Sequence, residues 1–191
     1  MLSPKFAAVL STLALTVLGT AASSTFAAVV TYSDTLTVNS PTFNRPLTGT
    51  PPTGLSAVGT NVYYDLQPFT VDVSGPYNLE TTAAALTPGA ADDTFIVLYA
   101  PTVVPATPLV NALAADDDAG PGGLSLITGY NLTAGTPYSL LVTTFSNLTT
   151  GSFTASISGP GTASFPGIPE PTTLTLLGAG ALALTARRRR A

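Results

Sequence analysis

Between Val29 and Ile157 the apolar residues return at every second position in short runs, and no stretch reads as a long amphipathic helix. A period of two belongs to strands, because successive side chains point to opposite faces of a sheet. The runs are separated by Pro, Gly, Asn and Ser, the residues that reverse a chain. Strands at steps of about 10–15 residues with turn residues between them predict an all-β fold, an antiparallel β-sandwich or jelly roll. The chain has no cysteine. Without disulfides, such a fold rests on its core or on bound metal.

Taken in order, Val30, Tyr32, Leu36 and Val38 share one face of a first strand, interrupted by Asp34, and Thr31, Ser33, Thr35 and Thr37 the other. Asn39 to Gly59 is rich in Pro, Thr and Gly and reads as a loop or extended linker. In Val62–Leu66 and Phe69–Val73 the inward parity switches near Gln67-Pro68, which predicts a bulge. Ser74-Gly75-Pro76 is a turn, and Tyr77–Thr81 is expected to return beside Phe69–Val73 as a hairpin. Thr94–Tyr99 is apolar at consecutive positions, as a central strand covered on both faces would be. Leu124–Leu132, Tyr138–Phe145 and the alternation of Phe153, Ala155 and Ile157 complete the set.

Charge narrows the function. From Ala28 to Pro169 there are nine acidic residues and one basic residue, Arg45, for a net charge of −8. Such a surface repels phosphates, so nucleic acid is excluded as a partner, while divalent cations suit it. There is no histidine, and the lone lysine is Lys5. This removes Ser-His-Asp and Cys-His catalysis, Schiff-base chemistry and imidazole-held zinc. Arg45 could clamp an oxyanion. A carboxylate hydrolase would need a pair such as Asp72 and Glu80, but their polar neighbours give no desolvation to raise a pKa. The expectation is a protein that is not an enzyme. Tyr63, Tyr64, Tyr77, Tyr99, Tyr130 and Tyr138 are expected to pack in the core with wet hydroxyls, not to form a row for stacking sugars. Asn131 and Asn147 lie in glycosylation sequons near turns and are not read as modified.

Both ends carry addresses. Lys5, the apolar run Phe6–Gly19 and Thr25-Phe26-Ala27 read as a secretory signal peptide, cut by signal peptidase after Ala27, or after Ala22. At the other end, Pro169-Glu170-Pro171 is followed by an uncharged run from Thr172 to Ala186 and then Arg187, Arg188, Arg189 and Arg190. The prolines hold the chain extended for a peptidase, the apolar run can enter a bilayer as a single transmembrane-type helix, and the arginines stay in the cytoplasm. A plain tail anchor is the other reading, but the run has 15 residues, short of the roughly 20 of a full span. From Ile168 to Ala191 the tail resembles the PEP-CTERM sorting signal of exopolysaccharide-producing bacteria. The resemblance implies cleavage near Glu170 by an exosortase-type membrane peptidase. It also implies an inner-membrane intermediate, then the cell surface, outer envelope or extracellular matrix.

Phe69–Val73 with its turn, Tyr77–Thr81, Asp93–Tyr99, the Asp-Gly-rich loop, Leu132–Tyr138 and Gly151–Thr154 are similar to bacterial pre-peptidase C-terminal domains, over about Tyr63 to Gly159. These are secreted, non-catalytic β-sandwich modules. The expected organisation is a signal peptide at 1–27, a strand and linker at 28–60, the sandwich at 61–160, a second linker at 161–167 and the sorting signal at 168–191.

Asp116, Asp117 and Asp118, with Gly120, Gly122 and Gly123 behind them, form the densest polar cluster. With Asp93 (or Asp92) arriving from a neighbouring loop, they are candidate oxygen ligands for Ca²⁺. The resemblance implies that both segments lie near one end of the sandwich. The order of ligands is not that of an EF-hand. A solvated loop whose aspartates cap turns is the competing reading. The functional expectation is an exported envelope or matrix protein with a structural or adhesive role in surface or biofilm. The alternative is a calcium-dependent carbohydrate-binding module acting on exopolysaccharide.

Overall fold

The computed structural model describes residues 27–166. The expected leader before Ala27, and Pro169, Glu170, Pro171 and the arginine tail, lie outside the described residues. Among the described residues no helix is long and apolar enough to cross a membrane.

Two antiparallel sheets face each other. The first runs β1 (Ala28–Leu36), β10 (Thr150–Gly159), β5 (Gly75–Thr87), β8 (Leu126–Leu132). The second runs β11 (Ala163–Ser164), β4 (Asp65–Val71), β9 (Tyr138–Thr144), β6 (Thr94–Tyr99), β7 (Ala112–Asp116). A two-stranded piece, β2 (Thr42–Phe43) with β3 (Val62–Tyr63), forms a separate ladder. Alternation places Leu36, Leu79, Phe153 and Ile157 of the first sheet against Phe69, Ile96, Leu98 and Leu140 of the second in one core. This is the sandwich that the period of two predicted.

β6 is buried at every position, and the reason is a second core on the outer face of its sheet. Phe95, Val97 and Tyr99 point outward and are covered by Phe43, Val62, Tyr64 and Val103. The segment expected to be a linker therefore contributes Phe43 to the cover over that sheet. It is held by short pairings, Phe43 with Val62, Pro46 with Leu55 and Gly49 with Ala115. β1, expected ahead of the sandwich, pairs with β10 along its whole length, from Ala28 opposite Gly159 to Leu36 opposite Gly151. Ala27 is exposed immediately before β1, so a cut after it leaves the strand intact.

Two local expectations are corrected. The register of β4 against β9 runs without a break from Asp65 opposite Val142 to Phe69 opposite Tyr138, so there is no bulge at Gln67-Pro68. One unbroken alternation serves two cores: Val62, Tyr64 and Leu66 face the outer one, and Phe69 and Val71 the inner one. The hairpin of Phe69–Val73 with Tyr77–Thr81 is not formed either. β4 pairs with β9 and β11, whereas β5 pairs with β10 and β8, so the turn at Ser74-Gly75 carries the chain from one sheet to the other.

Tyr77 fastens that crossing. It is 1% exposed, and its hydroxyl donates to the Val73 carbonyl at 2.8 Å and accepts the Gly161 N–H at 3.1 Å. Its ring lies so close over Gly159 that a Cβ there would run into Cδ1 and Cε1. Two other buried tyrosines are also tied to backbone, while the Tyr32 hydroxyl is buried without a partner. Tyr99 donates to Pro108 O at 2.9 Å, and the Tyr138 hydroxyl accepts Thr133 N–H at 3.1 Å. Asn147 of the second sequon clamps a loop, accepting from Asn61 N–H and donating to Thr60 Oγ1.

The acidic end of the sandwich as a candidate cation site

β6 begins at Thr94 and β7 ends at Asp116, and they are antiparallel, with Ile96 opposite Asp116. Their loops therefore emerge at the same end of the sheet, which brings Asp93 to Asp117 and Asp118. One carboxylate oxygen from each of these three lies within 4.8 Å of the other two. Oxygens bound to one calcium ion at about 2.4 Å can be no more than about 4.8 Å apart. The spacing fits a shared cation.

Asp116 does something else. Its Oδ2 accepts the N–H of Ala119 at 3.1 Å and of Leu126 at 2.8 Å, closing the base of the loop as aspartates do in turns. Asp92 also stands apart, beneath Gly122 (φ 73°), where a Cβ would lie 3.2 Å from Asp92 Oδ2. Of the four residues expected as ligands, the structure brings together Asp93, Asp117 and Asp118, and it uses Asp116 to shape the loop.

The loop is pinned from below by a buried hydroxyl cluster. Thr94 Oγ1 lies 2.8 Å from Thr81 Oγ1 and 3.0 Å from Ser125 Oγ, while Ser125 N–H donates to both threonine oxygens. All three are at most 1% exposed. The cluster ties β5, β6 and the end of the acidic loop together, with each bond contributing about 1 kcal/mol. Nothing in the sequence pattern singled it out.

Arg45 faces the acidic loops. It is 3% exposed, with its guanidinium carbon 4.3 Å from the Phe95 ring centre and 4.5 Å from that of Phe145. It donates from Nε to Phe145 O and from Nη1 to Pro46 O. So placed, it is a buried structural cation and not a free oxyanion clamp. Burial lowers its pKa, while Asp117, Asp93 and Asp118 oppose that shift. In return Arg45 favours the ionised form of both Asp93 and Asp117. It is not enough to normalise them. Burial, then the charge of Asp118, raises the Asp117 pKa to about 6, and the same two causes in the same order push Asp93 up. Asp117 Oδ1 is wholly buried with no hydrogen-bond partner. A divalent cation would relieve this unmatched charge.

The candidate hydrolase pair is not assembled as a strand neighbour pair. Asp72 accepts Thr162 N–H at 2.6 Å at the end of the second sheet, and Glu80 lies 3.0 Å from Ser156 Oγ in the first.

The PEP-CTERM protein-sorting motif matches residues 167–190. No curated protein matches the chain. The motif marks an exported protein that is sorted through the membrane by exosortase toward the cell surface.

Proposed function

We propose that this sorted sandwich serves as a non-catalytic structural or adhesive component of the cell surface or biofilm matrix. The observation that carries the reading is the sorting motif at residues 167–190. The composition supports it: with no histidine and no cysteine, the chain lacks the usual nucleophile–base pairs. Its buried cation and its buried hydroxyls are spent on holding loops and sheets together. The resemblance of Tyr63–Gly159 to non-catalytic accessory modules points the same way. Cells lacking the protein are expected to lose surface-attached biomass under shear, and the full chain supplied in trans restores it. Equal retention with and without the protein would contradict the role.

A second reading is favoured by one observation, the convergence of Asp93, Asp117 and Asp118. On that reading the protein is a calcium-dependent carbohydrate-binding module acting on exopolysaccharide. The three carboxylates hold Ca²⁺, and the ion orders the loops around it.

A further inference from the structure

The flank of the sandwich opposite β1 and β11 carries a cleft of about 530 Å³. There the outer strand of one sheet, β7, stands beside the outer strand of the other, β8. The segment Thr48–Thr50 roofs it, fixed by Gly49 N–H donating to Ala115 O at 3.0 Å and Ala115 N–H to Gly49 O at 2.9 Å. The polar lining consists of Thr48, Thr50, Asp116, Thr128, Tyr130 and Asn131. A volume in this range suits a small ligand.

We propose that this cleft binds a neutral saccharide. Three observations select that chemistry. Hydroxyl and amide side chains around one half-buried aromatic ring match a sugar, which offers hydroxyls at its rim and a C–H face to stack. Asp116 commits Oδ2 to the loop N–H groups of Ala119 and Leu126, so the carboxylate is held in place while Oδ1 can accept sugar hydroxyls. No basic residue lines the cleft, which disfavours sulfated, phosphorylated or uronic acid units. An added peptide strand fits less well. Gly129, at the middle of β8, has φ 63°, a kink that interrupts a regular ladder along its open edge.

The inference rests on the carbohydrate-binding part of the second reading and gives the sugar a place in the cleft, and it drops the requirement that calcium mediate the binding. Asp116 lines the cleft, and its neighbours Asp117 and Asp118 belong to the acidic site. The test is a titration of the full 191-residue chain in a sugar-free amine-oxide detergent, run in parallel with calcium and with chelator. The probes are neutral pentasaccharides of glucose, mannose, galactose and N-acetylglucosamine, followed by amide NMR. At least one is expected to bind in the millimolar range or tighter and to move the amides of Gly49, Thr128, Gly129 and Asn131. Thr128→Trp, which fills the cleft from an exposed position, and Asn131→Ala should each weaken binding about tenfold or more, while Val29→Ala, exposed on the opposite edge strand β1, leaves it unchanged.

Three results would overturn the inference. One is no binding by any pentasaccharide. Another is binding that ignores Thr128→Trp but vanishes with Asp117→Asn or chelator, which would move the sugar to the acidic loop and leave calcium-dependent recognition standing. The third is shifts at β8 produced by an extended neutral peptide and by none of the sugars, which would reassign the cleft to strand addition.

Discussion

Calcium is expected to raise the melting temperature of the chain at pH 7, and Asp117→Asn to abolish the rise. An ion that binds only the folded state adds about 2.7 kcal/mol when present at a hundredfold excess over its dissociation constant. For a domain of this size that corresponds to roughly 5–10 °C. The pH dependence without calcium carries its own sign. Asp117 has a folded pKa of about 6 against an ordinary 3.8, so the folded state holds its proton more tightly than the unfolded one. Its contribution is greatest at low pH, is lost as pH rises from about 4 to about 6, and stays lost above that. Asp93 and Asp65 are shifted in the same direction, both chiefly by burial. The chelated protein should therefore melt higher at pH 5 than at pH 7. Calcium needs ionised carboxylates, so its shift should be larger at pH 7. Asp117→Asn keeps the shape and removes the charge. It should stabilise the chelated protein at pH 7 and flatten most of the pH slope, leaving the part due to Asp65 and Asp93.

Arg45→Met separates the two sources of positive charge. Without the guanidinium, Asp93, Asp117 and Asp118 repel one another with nothing opposite them. The variant should melt lower than the parent in chelator and gain more from calcium. If melting is calorimetrically identical with calcium and chelator in both proteins, the acidic end holds no ion and its aspartates only shape loops.

Tyr77→Ala is expected to cost about 4 kcal/mol, the range for emptying a fully buried aromatic site, and to lower the melting temperature by about 10 °C or more. The ring fills the space over Gly159, and the hydroxyl joins Val73 on the outgoing end of β4 to Gly161 before β11. Tyr77→Phe keeps the ring and strands the Val73 carbonyl and the Gly161 N–H, so it should cost only about 1–2 kcal/mol. Urea unfolding of the three proteins measures both steps. Equal losses for Ala and Phe would mean that the hydroxyl, and not the ring, holds the crossing.

Much of this architecture was legible in the residues. Alternation identified the inward faces of β1, β9 and β10, and the unbroken apolar run of Thr94–Tyr99 announced a strand buried on both sides. What covers its outer face was not legible, because Phe43 and Val103 come from segments whose prolines and glycines read only as loop, and the strand reading of Val62–Leu66 did not say that Val62 and Tyr64 face a second core. Alternation assigns a side chain to a face without saying which sheet the strand joins. Ser74-Gly75-Pro76 is chemically a good turn for a hairpin and equally good for an arch between sheets, and only the partners of β4 and β5 distinguish them. The acidic site was partly legible. Asp116 is the last residue of β7 and turns to the backbone of Ala119 and Leu126, and only Asp117 and Asp118, beyond the strand end, meet Asp93. Arg45 gave no local signal, since its partners Phe95 and Phe145 arrive from strand ends 50 and 100 positions away.

The central claim, that this sandwich is delivered outward and cut from its tail, is tested most directly by intact mass spectrometry of the protein recovered from the surface of an exporting host. The predicted product starts at Ala28 and ends close to Glu170, without the apolar run and Arg187–Arg190. Glu170→Ala should leave the tail attached and the protein in the inner membrane. Recovery from the parent of a surface protein whose mass includes residues up to Ala191 would contradict the account.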